Sequence, residues 1–175
     1  TGSDGDQCTA CVAGKYKDTA GSAECTTCVA GKYKDTTGSG ECTACPAGKY
    51  KDTAGSAECS SCPSNSTSPA ASGNVTDCVC DAGYTGSDGD QCTACVAGKY
   101  KGTAGSAECT ACPALSYTHA TGSDNVADCV CNTGYTGPYD NCTACPEGKY
   151  KDALGSAECT NCPAGEQQGG AARAR

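Results

Sequence analysis

The chain has 175 residues and a net charge of -8, with no Phe, Trp, Met or Ile and only seven Val and two Leu. The side chains that each contribute about 1.5–3 kcal/mol on burial are therefore nearly missing, which excludes a conventional hydrophobic core. The acidic balance excludes a nucleic-acid partner, because phosphate binding needs clustered, unopposed Lys and Arg, whereas ten of the twelve basic residues are spread along the chain. No apolar run is long enough to span a bilayer.

Twenty cysteines stand in for the missing core. A cysteine content of this kind marks a scaffold held by covalent cross-links, and it implies maturation in an oxidising compartment and an extracellular or cell-surface, secreted protein. In chain order, residues 1–58 comprise a partial short loop and three 17-residue units that start at Cys8, Cys25 and Cys42. Residues 59–91 hold a long loop and a short one, and 92–108 a further 17-residue unit. The long and short loops return at 109–141, and 142–165 hold another 17-residue unit and the start of the next. The tail, 166–175, is expected to be flexible. The stretch TGSDGDQCTACVAGKYK at 1–17 recurs at 85–101. The chain is thus expected to begin within a module, as a window on a longer array or as a protomer that joins others end to end.

Within one unit, CVAGKYKDTAGSAEC at 11–25, strand alternation puts Tyr16 on one face and Lys15 and Lys17 on the other. The ring is expected to cover the disulfide while both ammonium groups stay in water. Asp18-Thr19-Ala20-Gly21 fits a type I turn, with Asp first and Gly fourth. Each unit then reads as an irregular hairpin closed by its two cysteines, Cys11 with Cys25. The same rule joins Cys28 to Cys42, Cys45 to Cys59, Cys62 to Cys78, Cys80 to Cys92 and Cys95 to Cys109. It continues with Cys112 to Cys129, Cys131 to Cys142 and Cys145 to Cys159. Spacing alone also leaves open an interleaved scheme, Cys8 with Cys25 and Cys11 with Cys28. Under sequential pairing Cys8 and Cys162 are left over, and they are candidates for links between protomers.

CPAGKY at 45–50 and CPEGKY at 145–150 resemble the Cys-Pro-x-Gly-x-Tyr opening of ephrin-receptor-like and TNF-receptor-type cysteine-rich repeats. The resemblance implies that the second cysteine of each CxxC pair bridges to the first cysteine of the next. CVCDAGYTG at 78–86 and CVCNTGYTG at 129–137 resemble the last loop of an EGF-like module, without its other four cysteines. The fold expected is small and disulfide-rich: an elongated tandem array of irregular β-hairpin modules with little regular secondary structure and no conventional hydrophobic core.

Cysteine pairs at these spacings also suit tetrahedral zinc. Ten pairs in tandem, with N-glycosylation signals and a single His, favour disulfides instead. A redox-active CxxC lacks the βαβ context it needs. Asn65, Asn74 and Asn141 each stand in an Asn-x-Ser/Thr acceptor pattern, so N-linked glycans are expected, with O-linked sugar on the many Ser and Thr as a further expectation. Asp4 with Asp6, and Asp88 with Asp90, are paired carboxylates that could attract Ca2+. A calcium loop needs six to eight ligands, so a solvated turn is the better reading and no cofactor is expected. His119 has no catalytic partner in the sequence, and no enzyme is expected. Together these features point to a structural subunit or segment of an extracellular, glycosylated filament or cell-surface appendage that associates with itself or with other fibre proteins. The alternative is the stalk or ligand-binding ectodomain of a receptor or adhesin.

Overall fold

The computed structural model describes residues 9–18, 24–55 and 58–164. Among these residues every strand is two residues long and pairs antiparallel with one sequence neighbour, making nine separate two-stranded sheets. In the first, Lys15–Tyr16 pairs with Thr26–Thr27, with Tyr16 opposite Thr26. The pattern repeats through Lys32–Tyr33 with Thr43–Ala44 and continues to Lys149–Tyr150 with Thr160–Asn161. The second strand of the first sheet is the dipeptide between Cys25 and Cys28. That arrangement chains the modules together, because Cys25 closes the loop behind it and Cys28 opens the next.

The disulfides run in sequence: Cys11 with Cys25, Cys28 with Cys42, Cys45 with Cys59, Cys62 with Cys78, Cys80 with Cys92, Cys95 with Cys109, Cys112 with Cys129, Cys131 with Cys142 and Cys145 with Cys159. We number the modules one to nine by these loops. The interleaved link of Cys11 to Cys28 is not the one the structure adopts. In the loop-entropy account, a closed loop of about fifteen residues contributes about 3 kcal/mol, which is how a chain without large apolar residues stays folded. The interior matches: the buried hydrophobic residues among those described are ten half-cystines, from Cys11 to Cys145.

Each first strand is launched by a tight turn. In the second module Lys32 N–H donates to Val29 O (3.1 Å), and Gly31 between them has φ +76°. A turn with a positive φ at its third residue suits glycine. Seven modules have glycine at this place, but the fourth has Asn65 (φ +60°) and the seventh Leu115 (φ +66°). Asparagine enters the left-handed region more readily than other side-chain residues, whereas a branched leucine pays about 1–2 kcal/mol there. Glycine loses more entropy on folding, by about 0.5–1 kcal/mol. Leu115→Gly is therefore expected to raise stability by about 0.5–1 kcal/mol, read from a urea midpoint, and a lowered midpoint would contradict the strain.

The two long loops each carry one turn of 3-10 helix, Val75–Asp77 and Val126–Asp128. Asn74 and Asn125 cap them reciprocally with Asp77 and Asp128. The chain divides into two compact units, residues 1–80 with 86–92, and residues 81–85 with 93–175. The same joints between modules recur inside each.

Candidate functional site

The feature repeated most faithfully is the joint between consecutive modules, and it is built mainly from backbone atoms. In the first unit Gly14 N–H donates to Lys34 O (2.7 Å), Gly31 N–H to Lys51 O (2.9 Å) and Gly48 N–H to Ser68 O (2.9 Å). In the second unit Gly83 N–H reaches Lys101 O (2.8 Å) and Gly134 N–H reaches Lys151 O (2.7 Å). The turn glycine of one module thus hangs on the chain just after the first strand of the next. Its carbonyl accepts as well, from Cys28 N–H at Gly14 (2.8 Å) and from Cys45 N–H at Gly31 (2.8 Å).

A second tie runs from the far loop of several modules. Gly38 N–H donates to Cys11 O (2.8 Å), Gly55 N–H to Cys28 O (3.0 Å), Gly122 N–H to Cys95 O (2.8 Å) and Gly155 N–H to Cys131 O (3.0 Å). The type I turn expected at Asp18-Thr19-Ala20-Gly21 lies outside the described residues from Thr19 on; at the equivalent Asp35–Gly38 the glycine N–H is spent on the preceding module. The loop stays an open bend with Gly38 at φ +120°. The loops also pack tightly enough that modules two apart touch. A Cβ on Gly14 would overlap the Gly55 carbonyl, one on Gly31 the Ala71 carbonyl, and one on Gly83 the Gly122 carbonyl.

The largest correction concerns the lysines. The first of each pair is exposed, as at Lys15, Lys32, Lys49, Lys99 and Lys149. Four of the second are buried, with Lys34, Lys51, Lys101 and Lys151 only 2–5% exposed. Instead of resting in water, each of these ammonium groups sits among backbone carbonyls. Lys151 Nζ donates to Tyr135 O (2.8 Å) and Cys131 O (3.4 Å) of the preceding module and to Gly155 O (2.6 Å) of its own loop. Lys101 Nζ takes a similar set, Tyr84 O (2.7 Å), Gly105 O (2.5 Å) and, one residue on from the counterpart of Cys131, Asp81 O (3.4 Å). Lys51 Nζ reaches back to Lys32 O (2.8 Å), while Lys34 Nζ holds Thr36 O (2.9 Å) and Gly38 O (2.7 Å) in its own loop. An ammonium has three donors and no acceptor, so three carbonyls saturate it. Burial lowers the pKa of Lys51 and Lys151 from the ordinary lysine value, because desolvation disfavours the charged form.

In the two long modules a hydroxyl replaces the ammonium. Ser68 Oγ donates to Lys49 O (3.0 Å), and Thr118 Oγ1 accepts from Gly98 N–H (2.7 Å); both side chains are buried. The group at this position therefore need not be charged, and in the two short modules it is a glycine, Gly86 or Gly137. Acylation of the folded chain with an amine reagent is expected to label the exposed first lysines and to spare Lys34, Lys51, Lys101 and Lys151. Peptide mass spectrometry reads this directly, and equal labelling of both sets would contradict the cages.

The tyrosines are half-buried except for Tyr117, which is exposed. Tyr16 shares a groove with Cys42, and Tyr33 one with Cys59, so each ring faces the disulfide of the following module. Cys162 is a half-exposed free thiol whose N–H donates to Gly148 O (2.9 Å), the place a module-opening cysteine takes elsewhere. Cys8 lies outside the described residues, as do Asp4 and Asp6. Asn65, Asn74 and Asn141 are all exposed. Asn74 uses its Oδ1 to accept from Thr76 N–H (3.1 Å), and Asn65 holds a left-handed turn position. Asp88 and Asp90 are exposed, and His119 lines an open groove with Asp124 and Asp128. Among the described residues no group of three or more His, Cys, Asp or Glu is placed to hold a metal, and no helix is long and apolar enough to cross a membrane.

The family model described as tyrosine-protein kinase ephrin type A/B receptor-like matches residues 2–41, 31–78, 83–129 and 134–172. Two of these spans start at a turn glycine, Gly31 or Gly83, and end at the closing cysteine of a long module, Cys78 or Cys129. No curated protein matches the chain. Disulfide-rich repeats of this receptor-ectodomain kind suit an extracellular or cell-surface setting. With the match covering most of its length and its modules closed by consecutive disulfides, the chain belongs to the ephrin-receptor-like family of cysteine-rich repeats.

Proposed function

We propose that the chain is a structural segment of an extracellular, glycosylated filament or cell-surface appendage, with further copies of itself or other fibre proteins as partners. The observation that carries this reading is the recurrence of one joint within both units, its turn-glycine contact repeated and its lysine contact shared by Lys51, Lys101 and Lys151. Repeats that hold their neighbours through the same contacts act as spacers whose length scales with module number. A head-to-tail contact that does not close yields a fibre. In this reading Cys8 and Cys162 link protomers, and Asn65, Asn74 and Asn141 carry N-linked glycans. The role includes no catalysis and no resident cofactor.

Electron microscopy of native material tests it: regular fibres with an axial repeat are expected. A second reading, the stalk or ligand-binding ectodomain of a receptor or adhesin, is favoured by the family match. Isolated short rods that capture a partner in a pull-down would decide for it.

A further inference from the structure

Two grooves in the first unit repeat at an interval of one module. The first, of about 290 Å³, is lined by Tyr16 and Asp18 of one module and by Val29, Lys32, Glu41 and Cys42 of the next. The second, of about 300 Å³, is lined by the equivalent Tyr33, Asp35, Pro46, Lys49, Glu58 and Cys59. The fold requires the cysteines, the turn glycine and the buried second lysine. No joint described above uses the side chain of the first lysine or of the aspartate, both exposed, yet these recur with an exposed glutamate in both grooves. Beside them Val29 is 62% exposed, an apolar surface next to the half-buried Tyr16 ring.

A partner for such a row must offer complementary groups at the same interval, and a second copy of this chain does so by construction. Each groove holds one ammonium and two carboxylates around an apolar patch, so the surface is complementary to itself. We propose that the grooves form a lateral docking surface for a second copy of the chain. Lys32 and Lys49 of each copy meet the Asp18, Glu41 and Asp35 carboxylates of the other, with Tyr16 and Val29 closing the apolar part. One exposed ion pair contributes little, but contacts repeated along a linked array multiply. Charge pairing also sets the alignment of the two chains and rejects like-charged registers. The proposal rests on the filament reading and deepens it by naming how filaments pair side by side.

The test is sedimentation velocity of the full chain at about 0.1 M salt, where the Debye length is about 10 Å and the repulsion from the net charge of -8 is largely screened while close pairs persist. A concentration-dependent rise to dimer and above is expected, reversed at about 1 M salt, where screening reaches about 3 Å. Lys32→Glu with Lys49→Glu should weaken association at least tenfold. Mixing that variant with Asp18→Lys plus Asp35→Lys should restore it. Because all four side chains are exposed on the hairpins, unchanged disulfide count by intact mass checks that the variants fold. Association of the lysine variant as strong as the parent's overturns the proposal. So does a parent that stays monomeric, whether inert or retained on an immobilised polysaccharide. Electron microscopy separates this from the parent reading: single fibres that never pair sink only the lateral contact, whereas reversible salt-sensitive pairs without fibres sink only the filament.

Discussion

Gly83→Ala is expected to destabilise the chain by about 2–5 kcal/mol, from about 1–2 kcal/mol of left-handed backbone strain and about 1–3 kcal/mol of overpacking. Gly148→Ala is expected to cost only the first of these. The two glycines share nearly the same backbone, φ +82° and +79°, and the same place in their turns. A Cβ at Gly148 has nothing within 4 Å, whereas at Gly83 it would overlap the Gly122 carbonyl two modules on. That carbonyl belongs to a loop tied back by Gly122 N–H to Cys95 O, so it cannot withdraw without breaking the tie. The difference between the two variants therefore measures the packing between alternate modules alone. Urea midpoints followed by tyrosine fluorescence, with disulfides intact, give both values. Equal midpoints for the two variants would show that the loop yields and that the close approach has no energetic weight.

The second large effect is expected at Lys151. Lys151→Met retains the length of the stem but removes the ammonium, leaving Tyr135 O, Cys131 O and Gly155 O without their shared donor. Hydrogen bonds to a charged group are worth about 1.5–3 kcal/mol each, and a buried acceptor left unpaired adds its own desolvation penalty. The desolvation that lowers the lysine pKa works the other way, because the native state already carries the penalty of burying that charge. We expect a net loss of about 2 kcal/mol. Lys149→Met, two residues away on the exposed side, should stay within about 0.5 kcal/mol of the parent. The same pair of denaturation midpoints is the measurement, and a Lys151→Met protein as stable as Lys149→Met would mean that the cage does not hold the modules together.

Closed loops of this size were legible from residue spacing, since an interval of 14 between cysteines, as in Cys28 to Cys42, closes a local ring, but spacing left the interleaved scheme open and the resemblance to cysteine-rich repeats implied the pairing. The glycines that launch each first strand, and their second purpose, were not read from the sequence. Nothing local to Gly31 shows that Ala71 will approach it. The lysine cages escaped for two physical reasons. Alternation of faces applies along a strand, but the strand at Lys32–Tyr33 ends before Lys34, so the rule was extended one residue too far. A buried cation also suggests a search for carboxylates, whereas these ammonium groups are solvated by carbonyl dipoles that no side-chain pattern records. One signal was present: the position held by Lys in the standard modules is Ser68 or Thr118 in the long ones, and all three are hydrogen-bond donors. At Asp35–Gly38 the glycine N–H is committed to Cys11 O, a contact with the preceding module that no local pattern records.

The sulfur bridges span between 11 and 17 residues of sequence, and none encloses another. During synthesis each could therefore seal as soon as its own stretch met an oxidant, without waiting for anything downstream. Gain or loss of a complete hairpin, by unequal exchange between near-identical coding stretches, would likewise strand no thiol, so reach could change in whole increments with the remaining links undisturbed.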